Sequence, residues 1–185
     1  FELDLGWRDR IKDFDYSVHL LLSDDRQKIL KYPNTTGKIN TWYVGKYNGD
    51  IWGFETIGIA KSQEEMDAHL ASLPNGGQDA LGVKWGAGDI MYRDLNGDGK
   101  ISDGATLNDP GDKKVIGNTS PRFRFGLDLN ASWKGIDVRL FFQGVAKRDA
   151  WLNDNMFWGA TGGIWQSACF TSHLDFFREE GDDFW

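Results

Sequence analysis

One stretch of the chain, residues 122–145, alternates between apolar and polar residues almost without interruption. Every second residue from Phe123 to Trp133 is apolar, while the positions between them carry Arg, Gly, Asp, Asn or Ser. A period of two is typical of a β-strand that has one apolar and one polar face. Lys134 and Gly135 interrupt the pattern, which then resumes through Phe142. The stretch therefore predicts two long strands joined by a tight turn as a β-hairpin.

A second hairpin of the same design is expected near the beginning of the printed sequence. Residues 1–7 and 14–22 alternate in the same way, and the charged segment 8–13 is predicted to form the turn between them. In a soluble sheet the apolar face would pack on a core. In a transmembrane barrel it would face lipid, and the polar face would line the lumen. Strands of about nine to eleven residues are long enough to cross a membrane, so the pattern leaves both environments open.

If the strands belong to a barrel, their polar side chains are expected to line a hydrated path. Charged and amide side chains at these positions would contact water and polar solutes rather than acyl chains. The predicted lumen-lining residues are Asp15, His19, Arg124, Asp128, Asn130, Arg139 and Gln143.

Composition excludes several classes of protein. Acidic residues outnumber basic ones by 28 to 21, giving a formal net charge of −7, which argues against nucleic acid as a partner. No apolar run reaches the length of about eighteen residues that a transmembrane helix needs. The single cysteine, Cys169, rules out an internal disulfide and a thiolate metal cluster within this sequence.

The segment between the two hairpins, residues 32–121, is rich in turn-forming dipeptides and is predicted to be a long, ordered external loop. Short strands are expected at residues 41–46 and 51–59. Ser62 followed by Glu65 has capping-box spacing, so a short helix is predicted from Gln63 to about Ser72. Loops of this length usually carry function.

An acidic motif, DLNGDGKI at residues 94–101, lies inside this loop. Oxygen-bearing side chains at its first, third and fifth positions and glycine at its sixth are typical of the first half of an EF-hand or dockerin calcium loop. Ile101 is expected to point inward. The twelfth position is Ala105 rather than Glu, so a later acidic residue, Asp103, Asp109 or Asp112, would have to close the site. The predicted ligands of a structural calcium ion are Asp94, Asn96, Asp98, Lys100 through its carbonyl, Asp103 and Asp112. The alternative is a pair of Asn-Gly and Asp-Gly turns with solvated carboxylates.

Aromatic residues are abundant, with nine Trp and twelve Phe in 185 residues. A tryptophan ring can stack on the apolar face of a sugar. The candidate substrate-binding residues in the external segments are Trp42, Trp52, Trp151, Trp158 and Trp165. The alternative for each of them is packing between loops or against a partner protein.

Four stretches carry a resemblance to a known family. They read GWRDRIKDFDYSVHLLLSD at 6–24, IWGFETIGIAKSQEEMD at 51–67, GDIMYRDLNGDGKIS at 88–102 and VIGNTSPRFRFGLDLNASWKGIDVRLFFQGV at 115–145. Together and in this order they resemble the C-terminal region of SusC/RagA-type TonB-dependent outer-membrane transporters. The chain departs from that pattern at Ile57, where Asp is usual, and in a longer insertion after Asp103.

This resemblance implies an all-β fold: part of a large antiparallel transmembrane barrel with long extracellular loops, one of which contains a short helix. It implies location in the Gram-negative outer membrane and import of oligosaccharides or peptides driven by TonB. It also implies a SusD-like surface lipoprotein as partner. The plug and the TonB-contacting region lie outside this sequence, so a fragment is expected. Its predicted parts are barrel hairpins at 1–31 and 122–146, an extracellular loop at 32–121 and an incomplete, aromatic-rich extracellular loop at 147–185.

The residues also permit a different class of protein. A soluble, calcium-stabilised β-sandwich that binds carbohydrate would use the same alternation, acidic loop and aromatic residues. An enzyme is not expected, because the sequence contains no recognisable acid/base pair, Ser-His-Asp frame, phosphate loop or zinc motif.

Overall fold

The computed structural model describes residues 1–152 together with Thr171 and Phe177. This part of the chain is mostly antiparallel β-structure with one short helix. Its elements are β1 (Glu2–Ile11), β2 (Phe14–Ser23), β3 (Asp50–Phe54), β4 (Thr56–Ile59), α1 (Gln63–Ala71), β5 (Ile90–Tyr92), β6 (Lys113–Asn118), β7 (Arg122–Trp133) and β8 (Ile136–Lys147). Among these residues no helix has both the length and the apolar character required to cross a membrane.

Both predicted hairpins form, and they join into one four-stranded sheet in the order β1-β2-β7-β8. All neighbours are antiparallel, and β2 pairs with β7 along its whole length, from Phe14 opposite Trp133 to Ser23 opposite Arg124. The strands are ten and twelve residues long, about twice the usual length in globular proteins. Within the described residues the sheet is open, with β1 and β8 at its edges, and no closed barrel is formed.

The hairpin turns are both two residues long, and the predicted first turn is wrong. Residues 8–11 belong to β1, which pairs as far as Ile11 opposite Phe14. Only Lys12 and Asp13 remain to make the turn, because cross-strand pairing extends through the charged residues. In the second turn Lys134 and Gly135 both have positive φ, 46° and 84°. Positive φ at both positions suits the twist of a tight hairpin.

The alternating apolar residues share one face of this sheet, because cross-strand partners point to the same side. One such row runs Trp7, Val18, Leu129 and Leu140 across all four strands. This face is not covered: Val18 retains 36% exposure, Phe125 39% and Leu140 49%. The core of a soluble sandwich would bury these side chains.

The described residues divide into two compact units. The sheet unit comprises Phe1–Lys31, Val44–Asp50 and Gly117–Ala150; the loop unit comprises Tyr32–Tyr43, Ile51–Ile116 and the described residues Trp151, Leu152, Thr171 and Phe177. The loop unit has its own small core, in which Ala60, Met66 and Met91 are buried and Leu70 and Trp85 pack against them. The strand segments predicted in this region are only partly right. Residues 41–46 form bends and turns, and residues 51–59 divide between β3, which pairs with β6, and β4, which pairs with β5.

The predicted helix is present as α1, and its N-terminus has the expected cap. The hydroxyl of Ser62 accepts a hydrogen bond from the Glu65 N–H at 3.3 Å. On one face of the helix, Met66 is fully buried in the small core of the loop unit. Another contact comes from His69, whose Nε2 lies 3.0 Å from Oε1 of the buried Gln78. Gln78 also bonds both Ile90 and Tyr92, so it joins the helix to β5.

Candidate functional site

The sheet brings the seven polar residues proposed above onto its second face. His19 lies opposite Asp128, and Asn130 lies opposite Arg139. The other three follow the same alternation. Since neighbours in a row share a face, the sheet presents Asp15, His19, Arg124, Asp128, Asn130, Arg139 and Gln143 on one surface.

Most charges on this polar face are paired with each other. Arg139 forms an ion pair with Asp128, and Nδ2 of Asn130 donates to Oδ1 of Asp128 at 2.9 Å. Nε2 of His19 lies 2.6 Å from Oδ1 of Asp4. Such a network keeps the surface hydrophilic and holds the side chains in place. It suits contact with water and polar solutes, and no nucleophile is aligned with a base in it.

Three apolar residues interrupt the polar face, which the alternation did not anticipate. Leu21 lies opposite Gly126, Phe141 opposite Asp128 and Val145 opposite Arg124. They are 42%, 56% and 45% exposed. The available signals were the runs LLL at 20–22 and FF at 141–142, each of which must place one apolar residue on the polar side.

The acidic loop brings together three of the four carboxylates that were predicted as ligands. Carboxylate oxygens of Asp94, Asp98 and Asp112 lie within 4.8 Å of one another. Asp112 is fully buried, and Ile101 is buried as the motif predicts. Asp103 is directed elsewhere and pairs with Lys113.

Asp112 reaches the loop because the inserted segment folds back at its base. The Asp112 N–H donates to the Ser102 carbonyl at 3.0 Å. The Asp112 carboxylate in turn accepts from the N–H groups of Leu95 and Ser102, each at 2.7 Å. The segment can return this closely because Gly104 has no side chain: a Cβ at this position would lie 2.1 Å from the carbonyl carbon of Pro110.

Hydrogen bonds from the loop backbone lower the pKa of Asp94. Burial raises the pKa of Asp94, but hydrogen bonds from the N–H groups of Gly99 and Gly97 outweigh burial and leave that pKa below its ordinary value. The two distances are 2.8 and 2.6 Å. Ionised carboxylates are hard oxygen ligands of the kind that Ca²⁺ prefers. This donor set fits calcium.

The described aromatic candidates differ in their surroundings. Nε1 of Trp52 donates to Oη of Tyr43 at 3.2 Å, and the two rings pack edge to face. Trp42 is 40% exposed and Trp151 is 65% exposed. Trp158 and Trp165 lie outside the described residues.

Sequence reasoning missed a pairing at the end of strands β2 and β7. Asp24 accepts two hydrogen bonds from the guanidinium of Arg122, which lies 98 residues away in the sequence. The neighbouring Arg124 pairs with Asp25. No local motif could have indicated these pairs, because they depend on the pairing of β2 with β7.

Comparison with curated proteins gives two related sequences. TonB-dependent receptor P26 of Formosa agariphila is 31% identical over 147 residues, which cover 74% of this chain and 13% of that protein. TonB-dependent receptor P3 of the same organism is 24% identical over 145 residues, which cover 71% of this chain and 13% of that protein. The chain is similar in sequence to TonB-dependent receptors.

The chain spans only about 13% of the length of these TonB-dependent receptors. No protein-family model matches it. The similarity is to TonB-dependent receptors in general, the broader family to which SusC/RagA-type transporters belong. It does not distinguish the SusC/RagA type within that family.

Proposed function

We propose that this chain is a segment of an outer-membrane TonB-dependent transporter, in which β1, β2, β7 and β8 form part of the barrel wall. The observation that carries the proposal is the exposed apolar face of the sheet, with Val18, Phe125 and Leu140 left uncovered. Lipid would solvate such a face, whereas water would not. Sequence similarity to TonB-dependent receptors also supports the proposal that the chain is a transporter segment.

The finer proposal is import of oligosaccharides or peptides by a transporter of the SusC/RagA type, with a SusD-like surface lipoprotein as partner. It is supported by the four resembling stretches and by the exposed rings of Trp42 and Trp151 in the loop unit. The paired polar face would line the hydrated path, and TonB would act through a region outside this sequence. The activity is transport, so no catalytic residue is assigned.

The alternative of a soluble carbohydrate-binding β-sandwich is not favoured. It would need a second layer packed on the apolar face of the sheet. The exposure of Phe125 and Leu140 is inconsistent with such a layer among the described residues.

We also propose that Asp94, Asp98 and Asp112 hold a structural calcium ion together with the carbonyl of Lys100 and the side chain of Asn96. The proposal is supported by the spacing of the motif and by the convergence of the three carboxylates. Asp103 is left out of this ligand set, because it pairs with Lys113.

Labelling two neighbouring residues tests the barrel proposal. In the full-length protein, with Cys169 and any other native cysteine replaced by Ser, Phe142→Cys and Gln143→Cys place a thiol on opposite faces of β8. Both native side chains are exposed. After reconstitution into lipid, a fluorophore at 142 is expected to be quenched by a quencher attached to acyl chains, while the thiol at 143 reacts with a water-soluble reagent. Equal access of water to both positions would contradict the proposal.

Uptake measurements test the transport proposal separately. Cells lacking the gene for the full-length protein are expected to lose import of fluorescent oligosaccharides or peptides, and the intact gene should restore it. The restored import should disappear when TonB is deleted. Import that survives without TonB would exclude this mechanism, and co-purification of a surface lipoprotein would support the partner.

A further inference from the structure

A small polar pocket lies in the sheet unit, where β2 and β7 lead into the connecting segments. Its volume is about 120 Å³. Three arginines line it, Arg26, Arg122 and Arg124, with Asp25 as the one carboxylate in the lining. Asn48, Asn118, Gln27 and Ser120 add amide and hydroxyl groups to the wall. The pocket is therefore rich in hydrogen-bond donors and carries an excess of positive charge.

The pocket wall is fixed by hydrogen bonds that do not use the arginines. The Asn48 N–H donates to the Gln27 carbonyl at 2.9 Å. The Asn48 carbonyl accepts from Nδ2 of Asn118 and from Oγ of Ser120, both at 2.9 Å. A lining held in this way is preorganised, so little ordering is required when a ligand enters. Arg26 is thus not needed to hold these segments together.

Two of the three arginines are already neutralised. Arg122 forms a bidentate ion pair with Asp24, and Arg124 pairs with Asp25. The guanidinium of Arg26 instead lies 3.8 Å from the ring centroid of Tyr47, and it forms no ion pair with any carboxylate in the described part of the chain. Three guanidinium groups against two carboxylates leave one positive charge, which belongs to Arg26.

We propose that this pocket binds one monoanionic oxyanion group, a carboxylate or a sulfate ester, with Arg26 as the residue that recognises it. Stacking on Tyr47 occupies the face of the guanidinium and leaves its N–H edge for hydrogen bonding. A planar guanidinium edge matches an oxyanion in bidentate geometry. A single negative charge on the ligand would balance the guanidinium of Arg26.

The pocket volume limits what enters it. About 120 Å³ accommodates a charged head group, so the remainder of a larger ligand would extend into solvent. This inference goes beyond the proposed transport function and does not depend on it, since it concerns binding by residues of the sheet unit alone.

Calorimetric titration of the full-length protein tests the proposal. The probes are glucuronate, glucose 6-sulfate and glucose, compared at constant ionic strength because exposed charges are screened by salt. At least one of the two charged sugars is expected to bind at millimolar concentration and glucose to bind much more weakly. Comparing glucuronate with glucose 6-sulfate identifies the preferred head group.

Substitution of Arg26 provides the decisive comparison. Arg26→Gln is expected to weaken binding of the charged sugar about tenfold, because it removes a charge-assisted hydrogen bond. Arg26→Lys retains the charge but not the planar edge, so an intermediate affinity is expected. Arg8→Gln is the matched control: Arg8 is an exposed arginine of the same unit that does not line the pocket.

The proposal predicts unchanged binding in the Arg8→Gln control. It would be overturned if Arg26→Gln bound the charged sugars as tightly as the wild-type protein does. It would equally be overturned if Arg8→Gln lost as much affinity as Arg26→Gln, or if glucose bound as well as both charged sugars.

Discussion

Arg122 and Asp24 form a bidentate ion pair that joins the ends of β7 and β2, with Nη2 of the arginine 2.5 Å from Oδ2 of the aspartate. The same carboxylate accepts a hydrogen bond from the Phe123 N–H at 3.3 Å. Phe123 has a φ of 52°, which is unfavourable for a bulky residue. Asp24 therefore holds a strained residue at the point where β7 enters the sheet.

This pair predicts a loss of stability in acid. The hydrogen bond from Arg122 lowers the pKa of Asp24 from 3.8 to about 2. A carboxyl group whose pKa is depressed by folding stabilises the folded state above its unfolded pKa, and this stabilisation is lost as the pH falls from 3.8 to about 2. Asp24→Asn should therefore lower the unfolding temperature at neutral pH, and its difference from wild type should vanish near pH 2.

Thermal unfolding of the full-length protein in detergent, followed by tryptophan fluorescence across this pH range, measures the effect. Asp25→Asn is the control, because the Arg124–Asp25 pair is exposed on both sides and exposed pairs contribute little. An Asp24→Asn protein as stable as wild type at neutral pH would contradict the role of the pair.

Two glycines of the sheet, Gly144 on the apolar face and Gly126 on the polar face, are predicted to respond in opposite ways to alanine. A Cβ at Gly144 would lie 2.7 Å from Cζ of Phe125, whose ring covers that glycine. Gly144→Ala must displace the ring and is expected to cost about 1 kcal/mol. At Gly126 a Cβ would meet Leu21 at 3.7 Å, an ordinary contact. Gly126→Ala is expected to stabilise the strand by about 0.5 kcal/mol, because alanine has less backbone entropy to lose.

Chemical unfolding of the full-length protein in lipid vesicles measures both changes. The comparison is informative because the two glycines lie on adjacent strands of one sheet. Equal effects of the two substitutions would show that Phe125 does not rest on Gly144.

The inserted segment after Asp103 predicts a strict requirement for Gly104. A side chain there would strike the backbone at Pro110, so Gly104→Ala is expected to open the base of the insertion at a cost of about 2 kcal/mol. Hydrogen exchange measured by mass spectrometry should then show faster exchange in the segment that includes Ser102 and Asp112. Gly58→Ala is the control, since a Cβ there approaches its nearest neighbour at 4.0 Å. Unchanged exchange in Gly104→Ala would contradict the predicted clash.

The proposed calcium site predicts that chelation lowers the unfolding temperature. Removal of Ca²⁺ should leave Asp94, Asp98 and Asp112 to repel one another. The shift should disappear in Asp94→Ala and in Asp98→Ala, which remove ligands. Asp103→Ala should retain the shift, because Asp103 pairs with Lys113 away from the cluster. Thermal unfolding with and without a chelator measures this, and no shift in the wild-type protein would argue against the site.

Local patterns accounted for much of the fold. Alternation predicted both hairpins, and the Ser62–Glu65 spacing predicted α1, because faces and caps depend on neighbouring residues. The same reasoning failed for residues 8–11, where a charged sequence suggested a turn. Those residues lie in β1 because β2 offers a full-length partner, and pairing overrides the local preference.

The sequence by itself determined which side chains share a face, since a period of two follows from strand geometry alone. It also determined that Asp94, Asn96 and Asp98 belong to one loop. Only the tertiary structure decided that β2 pairs with β7, that Asp112 rather than Asp103 approaches that loop, and that Asp24 meets Arg122. These contacts join residues far apart in the sequence, and their formation depends on the register of whole strands and the closure of an insertion rather than on any local motif.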